Sequence, residues 1–282
     1  MENKPSVYIG ISPSKQSLRI GEFRTHMYTY AYARHNNIPV YIKCDDTNPD
    51  SRVRSNFKKI IDEINRLGLK FSASELSYWE NSIIYQSKNT ELYKKFLLIL
   101  EKMGVTSELN GLISLDFQKS INLIANNIQG GDILRRSTKF DLYNTGYKYI
   151  PLYLLSEDRF LFHLPCVVDE HIMGTTVSIR GEDKISLMPI HDVLRALLNF
   201  TKIQYLHLPL LLMPDSNKRV KGEQYSLKIL LKKYPQNKLI SYLLKSGYRL
   251  EGKNLIDLDQ FISKFNITKI KKISSRFNDN LT

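Results

Sequence analysis

The chain has 282 residues and a formal net charge of +13, with 41 Lys and Arg against 28 Asp and Glu. That length allows one large core or two to three smaller ones. Its two cysteines, Cys44 and Cys166, with no Cys-x-x-Cys pair and no paired His spacing, exclude a cysteine-built zinc centre and suit a reducing compartment.

No signal-peptide pattern opens the chain and no uninterrupted apolar run reaches membrane-spanning length, so a cytoplasmic protein without a membrane partner is expected. The charge is uneven. Residues 215–282 hold 15 Lys and Arg against 6 Asp and Glu, nine of the thirteen net positive charges. A basic quarter of this kind is the footprint expected for a polyanion, because neutralising phosphates releases counterions; the competing reading is a solvated helical face.

In chain order, residues 6–11 read as an extended segment running into a polar turn and then Arg19-Ile20-Gly21-Glu22. An amphipathic helix follows, with Phe23, Met27, Tyr30, Ala31 and Arg34 at helical spacing. A second apolar run, 38–42, delivers Asp45-Asp46. Strand, turn, helix, strand, with a glycine where the helix begins and carboxylates at the end of the second strand, is the pattern of a doubly wound sheet. There, ligands sit at the carboxyl ends of the strands and a helix N-terminus can hold phosphate.

Residues 50–67 predict a helix on Val53, Phe57, Ile60, Ile61, Ile64 and Leu67, capped by Asp50 or Ser51 and ended by Gly68. From about 73 to 158 the alternation breaks, with at least two helical patterns, one carrying Leu92, Phe96, Leu97 and Leu100. Strand-like runs return at 160–168, 176–179 and 205–212. The last part is helical: Leu227, Leu230 and Leu231; then Leu239, Ile240, Leu243 and Leu244, ended by Gly247; then Leu258, Phe261, Ile262 and Phe265 behind an Asp257 cap.

Four motifs in order resemble class I aminoacyl-tRNA synthetases of the glutamyl and glutaminyl branch. Leu18-Arg19-Ile20-Gly21 stands at the HIGH signature, with Arg24-Thr25 and Ala33-Arg34 after it, and Asp45-Asp46-Thr47-Asn48-Pro49 is similar to the glutaminyl DDTNP. Val168-Asp169-Glu170-His171, Met173-Gly174-Thr175-Thr176 and Ile179-Arg180-Gly181-Glu182-Asp183 resemble VDDHLMGITHVIRGED. Residues 207–215 resemble HLPLLLGPD and lead into Lys218-Arg219-Val220-Lys221, at the KMSKS loop.

The resemblance implies an α/β Rossmann-type nucleotide-binding fold, with an inserted acceptor-binding domain and a C-terminal helical stem-contact domain. The implied division is 1–72 and 159–213 for the two Rossmann halves, 73–158 for the insertion, and 214–282 for the loop and stem-contact part. Full glutamyl enzymes would continue into an anticodon-binding domain; in length the chain is similar to the glutamyl-queuosine type.

The implied chemistry is attack of an amino-acid carboxylate on the α-phosphate of ATP, with Mg2+ and without zinc, where the protein positions the reactants and supplies positive charge. The resemblance implies Arg19, Gly21, Lys218 and Lys221 as catalytic residues, and Ile20, Gly21, His207, Leu208 and Lys221 at ATP. It implies Ile9, Ser12, Asp45, Phe162 and Arg180 at the amino acid, Asp45 receiving its ammonium group.

Departures are visible. Arg19 replaces the first His of HIGH, Val220 the Ser of the loop, and Gly222 its final basic residue. Ile9 stands for a carboxylate-binding Arg and Phe162 for a Tyr. Losing a charged partner in a polar site costs ~2–4 kcal/mol. The expectation is a specialised paralogue: a ligase making an aminoacyl-adenylate and passing it to tRNA, a modified base or a small acceptor. The alternatives are a non-adenylating protein that binds tRNA, as a user of charged tRNA or as a regulator, and a nucleotide-binding fold with unrelated chemistry. The oligomeric state stays open.

Overall fold

The computed structural model describes residues 5–48, 54–71, 83–124, 132, 145–250 and 254–281. Pro49 and the Asp50 or Ser51 cap lie outside them.

β1 (Val7–Ile11) and β2 (Val40–Cys44) run parallel, joined by α1 (Ile20–His35), and β3 (Ile83–Tyr85) follows α2 (Arg54–Arg66) to pair with β2. An antiparallel sheet comes next. α3 (Thr90–Lys102) leads into β4 (Thr106–Leu109) and β5 (Leu112–Asp116), joined through Asn110 and Gly111. Both have positive φ, the conformation a tight two-residue hairpin turn requires. After α4 (Phe117–Ile124), β6 (Tyr149–Leu154) and β7 (Arg159–Phe160) complete that sheet in the order β4-β5-β6-β7.

α5 (His163–Ile172) returns the chain to β8 (Val177–Gly181), and α6 (Met188–Leu197) crosses to β9 (Gln204–Leu208), parallel to β8. Ser6 bridges Thr175 in parallel, and Thr176 N donates to Ser6 O at 3.0 Å. The parallel strands therefore stand in the order β3-β2-β1-β8-β9. β10 (Leu211–Leu212) precedes α7 (Leu227–Lys233), α8 (Gln236–Ser246) and α9 (Leu258–Ser263), and pairs with β11 (Ser275–Arg276). Asp257 caps α9 as expected, accepting from Gln260 N at 2.8 Å.

Two expectations change. Residues 160–168 are mostly helix, not strand: after the two-residue β7 the apolar run becomes α5. Pro165 sits in its first turn, where its missing N–H costs nothing, and a continuous apolar run does not distinguish a strand from a buried helix. α1 is buried almost all round rather than amphipathic. Phe23 and Met27 share a core with Val7, Ile9 and Ile11 of β1, and the C-terminal helices cover other faces. Tyr28 meets Phe261 at 5.2 Å between ring centroids and donates to Leu244 O at 2.7 Å.

Among the described residues, two apolar cores result. One joins the Rossmann strands to the C-terminal helices; the other fills the antiparallel sheet and extends into α5 and α6.

Candidate active site

The N-terminus of α1 opens onto a cleft of about 320 Å3, whose lining includes Lys15, Arg19, Gly21, His26, Lys184 and Arg219. Arg19 is the residue before the first helical turn, and Glu22 accepts from its backbone N–H at 3.0 Å. Burial pushes the Glu22 carboxyl up, but Lys15 at 2.6 Å outweighs it and the carboxyl lies below its usual range. Cations on the walls and first-turn N–H groups, which have no partner within the helix, make the cleft suited to an anion.

The loop after β10 forms one wall. Met213 N donates to Lys218 O and Val220 N to Leu211 O, both at 2.8 Å, folding the segment back on β10. Val220 is buried and packs over Gly21, where an added Cβ would meet it at 3.5 Å. Arg219 Nη1 lies 2.6 Å from Asp183 Oδ2. Lys218 and Lys221 are exposed and do not line the cleft, so the loop places Arg219 where Lys221 was expected. Gly222 turns with φ +105°, which the basic residue expected there would adopt only with strain.

Beside this cleft, β1, β2, β8, α5 and α6 assemble a buried polar cluster. Lys43 Nζ sits 2.9 Å from Asp45 Oδ1 and 5.3 Å from the Tyr8 ring centroid. Burial pulls the Lys43 ammonium toward losing its proton, but Asp45, with Cys166, Tyr8 and Asp169 beyond it, outweighs that and holds it well above its ordinary range. Tyr8 Oη donates to Glu170 Oε1 at 2.7 Å. Arg180 binds the same Glu170 oxygen, and Arg195 binds the other. Burial raises the Glu170 carboxyl, yet the two guanidinium groups bring it down to about 2.

Arg180 also donates to Ser178 Oγ at 2.8 Å and to His191 Nδ1 at 3.2 Å, and His191 Nε2 lies 3.3 Å from His163 Nδ1. Asp169 accepts from Gln86 at 2.8 Å and Tyr93 at 2.6 Å. Burial raises Asp169 to about 6, with Lys43 opposing. The two halves of the site meet at His26, which lines the cleft and lies close enough to the Gly10 backbone and to Asp45 for both to act on its imidazole.

Among the described residues, Cys166, Glu170 and His191 bring three donor atoms within 4.8 Å of one another. Both Glu170 oxygens already bind guanidinium groups, and His191 Nδ1 accepts from Arg180. The trio is thus knitted to cations, a poor setting for a metal ion.

Arg19, Gly21, Asp45 and Arg180 take positions at the cleft or the cluster, and Phe162, largely exposed, lies 5.7 Å from the His191 ring. Ser12 is exposed in the turn after β1. Ile9 is misplaced as a pocket residue: alternation along β1 turns it into the apolar core, and Tyr8 and Gly10 face the cluster instead. Ile20, His207 and Leu208 are buried, and Asp132 holds both the backbone N–H and Nδ1 of His207 at 2.8 Å.

The sequence motifs do not mark Lys43, Tyr8, Glu170, Arg195, His163, His191 or His26 as site residues. Two signals point to some of them: a lysine on an otherwise apolar strand just before an acidic pair, and the period-2 partners of Gly10.

In the C-terminal part, a second cleft of about 680 Å3 is lined by Lys238, Lys245, Lys271 and Arg276, with no carboxylate side chain in its lining among the described residues.

The family model described as tRNA synthetases class I (E and Q), catalytic domain, matches residues 7–106 and 158–281. Among curated relatives, the glutamate–tRNA ligase of Dehalococcoides mccartyi is 25% identical over 99% of this chain and 63% of its own length. That of Methylacidiphilum infernorum is 26% identical over 98% and 62%. The chain thus spans a little under two thirds of these relatives.

The solved glutamate-tRNA synthetase of Elizabethkingia anophelis superposes with a TM-score of 0.76 at 17% identity, covering 99% of this chain and 69% of that one. Thermus thermophilus arginyl-tRNA synthetase gives 0.52 at 12% identity, covering 99% and 60%. These likenesses share the α/β Rossmann-type fold. With the family model matching most of its length, the chain belongs to the class I (E and Q) tRNA synthetases, through their catalytic domain.

Proposed function

We propose that this protein is a glutamyl-tRNA synthetase-like ligase that activates an amino acid with ATP and transfers it to tRNA or another acceptor. The observation that carries the reading is the juxtaposition of two half-sites. A cationic cleft at the α1 N-terminus adjoins, through His26 and Gly10, the carboxylate of Asp45 at the end of β2.

In the step proposed, the amino-acid carboxylate forms a bond to the α-phosphorus as the bond to pyrophosphate breaks. Arg19, Lys15 and Arg219 supply fixed positive charge as negative charge moves onto the leaving group. Asp45 Oδ2, beside Gly10, faces the amino group; a side chain at Gly10 would come within 3.3 Å of that oxygen and fill the space. Glu22 and Asp183 are engaged by Lys15 and Arg219, so Mg2+ is best carried on the triphosphate itself.

The basic C-terminal cleft, free of carboxylates in its described lining, supports an RNA partner. A second reading, a tRNA-binding protein that does not adenylate, is favoured by one observation: both loop lysines stand outside the cleft while Val220 occupies the wall over Gly21. ATP–pyrophosphate exchange over all amino acids, with and without tRNA, separates the two. Exchange supports the ligase; ATP-independent tRNA binding without exchange supports the second reading.

A further inference from the structure

The cations of the buried cluster are all matched by protein carboxylates, and this bears on what kind of amino acid it receives. Among the described residues, each cation in the cluster has a protein anion. Lys43 pairs with Asp45, Arg180 with Glu170, and Arg195 with Glu170 and, at 3.5 Å, with Asp192. The two imidazoles add no charge. Burial, with Arg180 behind it, pushes His163 down to about 4 and His191 well below its ordinary value. A side-chain carboxylate entering here finds no uncommitted cation to repay its lost hydration, and a side-chain ammonium finds, beyond Asp45, only carboxylates already engaged by Arg180, Arg195, Gln86 and Tyr93.

The hydrogen-bond chain also has a fixed direction. Arg180 only donates, so its 3.2 Å contact makes His191 Nδ1 an acceptor and leaves the His191 proton on Nε2. That proton points at His163 Nδ1, 3.3 Å away, so Nδ1 of His163 accepts as well. The His163 proton is then on Nε2, which has no partner among the described residues, on a partly buried ring beside the exposed Phe162. The chain from Glu170 through Arg180, His191 and His163 ends in one neutral donor.

We propose that the site takes an α-amino acid whose side chain is uncharged and carries a hydrogen-bond acceptor, read by the Nε2–H of His163. The proposal rests on the amino-acid-activating reading above. His163 is the specificity-determining residue; Glu170 acts through Arg180 by neutralising it.

The test is calorimetry on the full chain, saturated with a non-hydrolysable ATP analogue, against glutamine, asparagine, serine, glutamate, aspartate, lysine and norvaline. One of the three neutral, acceptor-bearing amino acids should bind best. Its charged counterpart and norvaline should bind roughly tenfold or more weakly, the worth of one unmet polar group. His163→Ala should erase the preference over norvaline, and His163→Gln, which keeps a donor near the Nε2 position, should retain much of it. Glu170→Gln releases guanidinium charge and should move preference toward glutamate or aspartate; if that variant does not fold, the wild-type panel still decides.

Tightest binding of a charged amino acid, or of norvaline, overturns this proposal and leaves the activating reading intact. Binding of the nucleotide with no amino acid bound overturns that reading, and this proposal with it.

Discussion

Lys43 and Asp45, two residues apart at the carboxyl end of β2, form an ion pair of 2.9 Å with the lysine almost wholly buried. Asp45 therefore has two tasks: it neutralises Lys43 through Oδ1 and, in the activity proposed, meets a substrate amine through Oδ2. Asp45→Ala should lose amino-acid binding and also destabilise the fold by roughly 3 kcal/mol, because it leaves a buried cation unpaired. Adding Lys43→Met should recover most of the stability and none of the binding. Urea titrations of the three proteins check the first part and calorimetry the second. A fully stable Asp45→Ala would show that Lys43 finds another partner.

Arg219, not Lys221, is the loop cation in the cleft. Arg219→Ala should weaken ATP binding by about 1.5–3 kcal/mol, the worth of a hydrogen bond to a charged group. Lys221→Ala should change it far less. The exposed Arg219–Asp183 pair contributes little to folding, so melting temperatures should barely move. Equal losses of ATP affinity in both variants would mean that the loop rearranges around the nucleotide.

The Rossmann half and the positions of Gly21 and Asp45 are legible in the sequence because they hang on short-range signals: strand–turn–helix order, a glycine at the helix start, carboxylates at a strand end; Arg19 and Arg180 are reached only through the family resemblance. What is not legible depends on which way a strand faces and on what covers a helix. Ile9 stands one residue from Gly10, and a one-residue offset in a strand exchanges core for site. The mantle over α1 comes from residues more than 200 positions away, such as Phe261 against Tyr28, which no local periodicity reveals. Glu170 looks like a motif letter, yet its two oxygens hold the two arginines together.

His26 makes stability depend on pH. Burial pushes its imidazole down to about 4, with Glu22, Asp45 and the Gly10 backbone acting to raise it and Lys15 to lower it. The unfolded chain, with an ordinary histidine, binds the proton first. Stability therefore rises with pH through this group and is lost as pH falls below about 6.5. Between pH 7.5 and 5 the loss from His26 should reach roughly 2 kcal/mol at 1.36 kcal/mol per unit. His26→Gln should flatten the profile by that amount in urea titrations at the two pH values. An unchanged profile would show that His26 is already protonated or that another group dominates.

Arg276 ties the loop to the C-terminal sheet pair, donating to Ser216 O at 2.7 Å, Asn217 Oδ1 at 2.6 Å, and Met213 O and Pro214 O at 3.3 Å. Arg276→Ala should raise amide hydrogen exchange in residues 213–221 while leaving β1 and β2 protected. No change there would show that the backbone bonds to β10 hold the loop alone.

The basic cleft predicts salt-sensitive RNA binding. Lys238→Ala with Lys245→Ala should reduce the slope of log affinity against log salt by about 0.9 for each duplex phosphate that is no longer neutralised. A filter-binding series from low to moderate salt checks it. An unchanged slope would make the cleft an ordinary solvated surface.

The cationic cleft and Asp45 are proposed to serve one reaction, and ATP–pyrophosphate exchange on the purified chain tests this most directly. Exchange that requires both ATP and one amino acid, in the presence or absence of tRNA, and that Asp45→Asn abolishes, is the predicted result. Exchange absent with every amino acid and with tRNA, while ATP still binds, would contradict it.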